Sequence, residues 1–201
     1  MVKQRFKEFI GSGTLTIFDI DETLFHTKAK VGVVKDGKII RKLDNQEFNT
    51  YQRKPGETYD FGEFKSAEVF RRTSVPIVRM IEKAKAIVKA KKNPHSRAII
   101  CTARADFDDK HMFLQTFRDH GLPIDDMHVE RAGNLGIDSS AEAKKVIFRK
   151  YINTKTYTKL RLYDDAMSNL KAFLDLEDEY PHVKFEAYFV KPDGSTKVIK
   201  R

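Results

Sequence analysis

Cysteine is almost missing from the chain: Cys101 stands alone among 201 residues, which excludes an intramolecular disulfide and any zinc cage built on thiolates. Long apolar runs are missing too. None approaches the roughly 18 residues a membrane-crossing helix needs, and residues 1–13 (MVKQRFKEFIGSG) hold neither an apolar targeting core nor a small-residue cleavage site. These absences predict a cytoplasmic chain with no membrane partner. Internal repeats and low-complexity stretches are also absent. Negative charge is in short supply: 29 Asp plus Glu face 38 Lys plus Arg, a formal net charge of +9. Such an excess favours polyanionic partners or phosphorylated substrates. The chain does have apolar material. With 40% hydrophobic residues, including 15 Phe and 7 Tyr, it can bury a sizeable core, which excludes disorder as its main character. The length predicts a single domain over 1–201 with room for a modest insertion.

The basic excess is uneven. From Glu142 to Arg161 the cations Lys144, Lys145, Arg149, Lys150, Lys155, Lys159 and Arg161 face one acid, whereas Asp175, Glu177, Asp178 and Glu179 form an acidic block. Two readings compete: solvated helix faces of opposite sign, or a surface for a polyanion.

Hydrophobic periodicity gives an alternating order of elements. A β-branched run, Thr14 to Phe18, predicts a buried strand ending at Asp19. Two short strands flank Asp36-Gly37, a hairpin signal. Residues 44–73 predict a loop-rich cover with one short helix, its aromatics packing on one another. Ser74 is the expected cap of a helix reaching about Lys92, with Ile77, Met80, Ile81, Ala84, Ile87 and Val88 on one face. Arg97 to Thr102 predicts a second strand, followed by an Asp-rich turn and a helix closed by Gly121. Met127 to Glu130 predicts a third strand, Ser140 to Ile152 a helix, Lys159 to Tyr163 a fourth strand and Ala166 to Glu179 a helix. Val183 to Val190 and Thr196 to Ile199 then form a terminal hairpin. Alternation of this kind implies an α/β fold, a mainly parallel sheet with helices on both faces, whose ligands bind beyond the carboxyl ends of the strands.

Those ends carry the chemistry. The first strand runs into Asp19 and Asp21, the second into Thr102 and Arg104, the fourth into Asp164 and Asp165. Closely spaced carboxylates repel unless a cation lies among them, and oxygen ligands from several chain segments are how Mg²⁺ is held. One such pair is commonly a solvated turn. Two pairs ending two strands of one sheet are much less so.

These residues resemble the haloacid dehalogenase (HAD) superfamily of phosphotransferases. Asp19-Ile-Asp21-Glu-Thr23-Leu24 matches its D-x-D-x-T-L motif, Thr102 its strand-ending Ser or Thr, and Asp164-Asp165 its acidic pair. The resemblance covers about residues 14–190 and implies a Rossmann-like HAD core with residues 28–73 as a small flap or cap insertion. It also calls for a basic residue, for which Lys144 and Lys145 are neighbours. On an ideal helix the apolar stripe of Ile147, Phe148, Tyr151 and Ile152 centres about 10° from Lys144 and about 90° from Lys145. Lys144 is therefore assigned to the face toward the sheet.

The resemblance implies a magnesium-dependent phosphatase. Asp19 would be the nucleophile that forms an aspartyl-phosphate, Asp21 the acid and base, and Thr102 and Lys144 the partners of the transferring phosphoryl group. Thr23 and Arg104 would contact substrate. The Mg²⁺ would take Asp19, the Asp21 backbone carbonyl and a carboxylate of Asp164 or Asp165. The short insertion predicts a fairly open site. With the positive charge, that favours a nucleic-acid end or nucleotide over a sugar phosphate.

The order Thr102-Ala-Arg104, Lys144-x-x-Ile147-Phe148 and Asp164-Asp165 is similar to the 3′-phosphatase domain of phage-type polynucleotide kinases. Two departures stand. Glu22 sits where that group has Gly, and no G-x-x-x-x-G-K-[ST] loop accompanies it, which excludes a kinase half. The stretch from Asp19 to His26 also resembles the D-x-D-E-T-L-x-H start of phosphatases acting on phosphoserine tails, whose later acidic motif is Asp-Asn. A third reading is a nucleic-acid-binding protein on a HAD scaffold, without turnover.

Overall fold

A computed structural model describes residues 11–90 and 93–201. The chain opens with β1 (Gly13–Phe18), β2 (Phe25–His26), β3 (Val31–Lys35) and β4 (Lys38–Leu43). Helix α1 (Asn45–Thr50), β5 (Glu57–Asp60), α2 (Gly62–Lys65), α3 (Ala67–Thr73), β6 (Val75–Pro76) and α4 (Val78–Lys89) follow. Then come β7 (Arg97–Thr102), α5 (Lys110–Asp119), β8 (His128–Arg131), α6 (Ser140–Ile152), β9 (Tyr157–Asp164), α7 (Met167–Leu174), α8 (Leu176–Glu179), β10 (Lys184–Val190) and β11 (Thr196–Ile199).

Six strands form the central sheet in the order β11-β10-β9-β1-β7-β8. All neighbours pair in parallel except β10 and β11, the expected antiparallel hairpin. The architecture is α/β with a mainly parallel sheet. Alternate residues of the inner strands feed two separate cores, which is why β7 reads as the continuous apolar run Ala98-Ile-Ile-Cys101. Phe18 of β1 and Ile100 of β7 pack with α3, α4 and α5, whereas Leu15 and Ile17 of β1 and Ile99 and Cys101 of β7 pack with α6, α7 and α8. β1 lies between β7 and β9, where the chain's direction of winding reverses. In such sheets that reversal opens a crevice at the carboxyl ends of the strands.

The hairpin at Asp36-Gly37 forms as expected, with φ of 50° and 74°, the left-handed pair a two-residue turn demands. Three expectations are corrected around it. The segment after the hairpin contributes a third strand, β5, pairing with β3, and its short helices number three rather than one. Glu57–Asp60 has no clear period-two pattern; pairing with β3 makes it a strand. Ser74 closes α3 rather than opening α4, which begins at Val78, because Val75–Pro76 pairs with Phe25–His26. The aromatics of this region do pack on one another, with Phe48, Tyr51, Tyr59, Phe61 and Phe64 in a run of edge-on ring contacts. No helix among the described residues is long and apolar enough to cross a membrane.

Candidate functional site

Parallel pairing of β1 with β9 through Phe18 and Tyr163 brings the two strand ends level. The Asp19 amide donates to the Tyr163 carbonyl (3.0 Å). The carboxylate that follows β1 therefore faces the pair that ends β9. One carboxylate oxygen from each of Asp19, Asp164 and Asp165 lies within 4.8 Å of the others.

Lys144 enters this group from the first turns of α6. It is buried, and its Nζ donates to Asp19 Oδ1 (2.8 Å) and Asp164 Oδ2 (2.7 Å). The helical wheel placed it on this inward face. Lys145 instead pairs with Glu142 on the flank (3.0 Å). Burial works against the Lys144 ammonium, but the carboxylates of Asp164 and Asp19 outweigh it and hold the lysine charged. Asp19 behaves oppositely. Burial lifts its carboxyl well above the usual range, Lys144 only partly opposes this, and Asp164, Asp21 and Asp165 add repulsion.

Asp164 and Asp165 differ in their surroundings. Asp164 accepts from the Ala166 amide (2.8 Å), from Asn169 Nδ2 at both oxygens (3.0 Å each) and from Lys144. Asn169 is steadied in turn by Ser140 Oγ, 3.2 Å from its Oδ1. Asp165 accepts from no described side chain, and burial, with repulsion from Asp164 behind it, pushes its carboxyl up to about 7. Asp164 is saturated with donors; Asp165 retains lone pairs to offer.

Asp21 points elsewhere. Arg104 grips it as a fork, Nε to Oδ2 (2.9 Å) and Nη2 to Oδ1 (2.6 Å), while Thr27 Oγ1 donates to Oδ1 (2.7 Å). Burial would raise this carboxyl, but the Arg104 charge and the donated hydrogen bonds outweigh it and lower its pKa. Arg104 is only 3% exposed and also donates Nη1 to the Phe64 carbonyl (3.0 Å). Its guanidinium lies over the rings of Phe64, Phe70 and Phe107 at 4.6, 5.2 and 5.6 Å.

The Arg104 side chain, expected to contact substrate, is thus shared with two partners within the fold, Asp21 and the flap carbonyl. Thr23 is buried at 0% exposure, and its hydroxyl has no hydrogen-bond partner among the described residues. Thr102 lies at the tip of β7, buried, its Oγ1 accepting from the Arg104 amide (3.1 Å). Asp19 itself is 6% exposed, while the Asp21 side chain keeps 19%. Two grooves, of about 430 Å³ beside β10 and β11 and about 340 Å³ beside β8, contain none of these residues. They are solvent-facing hollows at the sheet edges, and the chemistry lies with the charged cluster.

Glu22 adopts φ 54°, the left-handed conformation that glycine takes without strain. Its side chain offsets the strain by accepting from the Thr27 amide (3.1 Å) and contacting His26 Nδ1 (2.6 Å). His26 Nε2 in turn lies 3.0 Å from the Pro192 carbonyl, so His26 braces the loop after β1 against the terminal hairpin.

The cations of the 142–161 run are engaged locally. Arg149 pairs with Glu179, Lys150 with Glu130, and Lys159 and Arg161 with Glu186. These pairings favour the solvated-face reading of the run over a free basic surface.

Sequence reasoning missed Asn169, Thr27 and Phe64. Asn169 was findable as the one amide in the first turn of the helix after Asp164-Asp165. Thr27 and the Phe64 carbonyl carry no local signal, since only folding brings them to Asp21 and Arg104.

The arrangement is an α/β sheet whose switch-point crevice holds a buried acid cluster with two built-in cations. Comparison of the chain with protein-family models, with curated proteins and with solved structures gave no match in any of the three.

Whether a divalent cation fits is decided by charge. Among the described residues, Asp19, Asp21, Asp164 and Asp165 pair with Lys144 and Arg104 alone, so with all four ionised two negative charges are left in a poorly solvated site. One divalent ion matches that remainder, and the oxygen-only donor set suits a hard cation.

Proposed function

We propose that the chain is a phosphomonoesterase of the HAD type, working through an aspartyl-phosphate on Asp19 and acting on the phosphorylated end of a nucleic acid or on a nucleotide. The observation that carries this reading is the bridge from Asp19 through Lys144 to Asp164, with Asp165 beside it, at the reversal point of the sheet. A surface acid cluster would not bury a lysine between two carboxylates of different strands.

In this reading Asp19 attacks the phosphorus in line, forming its acyl–phosphate bond as the ester P–O bond breaks. Lys144 orients the Asp19 carboxylate and balances charge as the phosphate dianion enters. Asp21 gives its proton to the leaving oxygen and takes one from the water that later attacks the aspartyl-phosphate. Its pairing with Arg104 favours the carboxylate, the form needed in that second half. An incoming dianion raises its proton affinity for the first half. Asp19, Asp165 and the Asp21 backbone carbonyl would hold Mg²⁺, with Asp164 in support; the ion would neutralise the phosphoryl oxygens. Thr102, at the tip of β7, would donate its hydroxyl hydrogen to one of those oxygens.

The test is phosphate release with Mg²⁺ from a panel of an aryl phosphate, 3′- and 5′-phosphorylated oligonucleotides, mononucleotides and a phosphoserine peptide. Preference for a phosphorylated oligonucleotide or nucleotide is expected. Turnover of the peptide alone favours the phosphoserine reading, and oligonucleotide binding with no phosphate released from any member favours the non-enzymatic one.

A further inference from the structure

The paired cations of α6 and β9 contrast with those of the flap. Lys35, Lys38, Arg53 and Lys54 are exposed and make no ion pair with any described carboxylate. Strand register gathers three of them. Lys35 stands opposite both Lys38 on β4 and Glu57 on β5, and Lys54 donates its amide to Glu57 Oε2 (2.9 Å). Glu57 is buried, accepts from that amide and from the Tyr51 hydroxyl (2.9 Å), and as a single carboxylate offsets only part of the charge of Lys35 and Lys54 beside it. Arg53 lies over the ring of Tyr59 at 5.6 Å.

From Tyr59 the ring contacts continue through Phe61 to Phe64, which touches the Arg104 that holds Asp21. Phe61, midway along, is 40% exposed. A row of unpaired cations with an exposed ring between them and a phosphate-handling site is the combination that tracks a single strand: cations on phosphates, an aromatic under a base.

We propose that the flap, and not the basic run of α6, is the polynucleotide-binding surface, with Lys35, Lys38, Arg53 and Lys54 on the backbone of a single strand and Phe61 stacking a base. This inference rests on the proposed nucleic-acid reading and deepens it. An acidic peptide satisfies the cations but leaves Phe61 without a stacking partner. An anionic membrane would engage the tip, where Ile39 and Ile40 are also exposed, but would not lead a phosphate to Asp19.

The experiment measures binding of a fluorescent, unphosphorylated single-stranded oligothymidylate by anisotropy over a series of salt concentrations, so the readout is independent of turnover. Wild type is compared with a flap variant (Lys35→Gln, Lys38→Gln, Arg53→Gln, Lys54→Gln) and a helix variant (Arg149→Gln, Lys150→Gln). The flap variant should bind at least about tenfold more weakly at low salt, and the slope of log affinity on log salt should fall by about 3, near 0.7 per cation. The helix variant should change by less than about threefold. Phe61→Ala should weaken binding about tenfold without changing the slope. Single Lys→Gln variants, each expected to lower the slope by about 0.7, keep the test decisive if the fourfold variant fails to fold.

Equal affinity of the flap variant and wild type, equal losses in the two variants, or binding to phosphatidylserine vesicles with none to the oligonucleotide would each overturn the inference. Flap-dependent binding by a chain that hydrolyses no phosphate ester sinks the phosphatase reading alone. Nucleic-acid hydrolysis whose binding ignores the flap sinks this inference alone.

Discussion

Lys144 and Arg104 are both buried cations at strand ends, yet Lys144 divides one ammonium between Asp19 and Asp164 while Arg104 gives a two-pronged fork to Asp21 alone. The difference follows from side-chain chemistry. A guanidinium fork matches one carboxylate, whereas a compact ammonium can sit between two. On the Arg104 side the charges balance and the rings of Phe64, Phe70 and Phe107 seal the pair. On the Lys144 side one cation serves Asp19, Asp164 and Asp165, and burial, with repulsion among these acids behind it, raises the pKa values of Asp19 and Asp165. The Arg104 half is a charge-balanced joint between flap and core that leaves Asp21 partly exposed, and the Lys144 half carries the excess acid, where the proposed mechanism would place a cation and the reacting anion.

The sharpest test of that division is Asp19→Asn. Turnover should fall by at least about 10⁴-fold, as expected when a nucleophile is removed. The metal-free melting temperature should hold or rise, because the amide relieves a buried carboxylate. Phosphate-release assays and thermal melts read both. A variant that keeps more than a hundredth of wild-type activity, free of deamidated protein, would remove Asp19 from its role.

Lys144→Ala should be next, destabilising the chelated protein by about 3–5 kcal/mol because it strands two buried carboxylates. Arg104→Ala should cost less, about 1–3 kcal/mol, since the Asp21 side chain keeps 19% exposure and the Thr27 hydroxyl. Urea unfolding in EDTA ranks the two, and the reverse order breaks the comparison.

Magnesium should act on one half only. At about a hundred times its dissociation constant it should add about 2.7 kcal/mol to stability. The gain should persist in Arg104→Ala and shrink strongly in Asp165→Asn, which loses the carboxylate with lone pairs to spare. Melting curves with EDTA and with Mg²⁺ measure it; an undiminished gain in Asp165→Asn would move the ion elsewhere.

The smallest effect should come from Lys145→Ala. It loses one flank pair with Glu142 and should change activity by less than about threefold. A loss matching that of Lys144→Ala would mean the helix is turned the other way in solution.

Much of this was legible along the chain. Asp19 follows Leu15-Thr16-Ile17-Phe18, Thr102 follows Ala98-Ile99-Ile100-Cys101, and Asp164 follows the alternating Leu160-Arg161-Leu162-Tyr163; a strand that ends in a polar residue delivers it to the end of the sheet whatever lies beside it. Lys144 was legible because a helix has a fixed period and its apolar stripe points to the sheet. The start of α4 was misread because Ser74, Val75 and Pro76 have the local chemistry of a helix start, and only their pairing with Phe25 and His26 draws them into a ladder.

Sequence alone determined the alternation of strands and helices, the acids at the strand tips and the inward face of α6, since each depends on neighbours within one element. The tertiary structure decided which charge meets which. Arg104 and Asp21 are 83 positions apart, and Lys144 is 125 from Asp19. Nothing local encodes that Arg104 turns to an acid and a flap carbonyl. Nor could the basic run from Lys144 to Arg161 be read correctly by counting charge, because Glu130, Glu179 and Glu186 reach it from other elements. Coulomb interactions depend on distance through space, and distance through space is what folding sets.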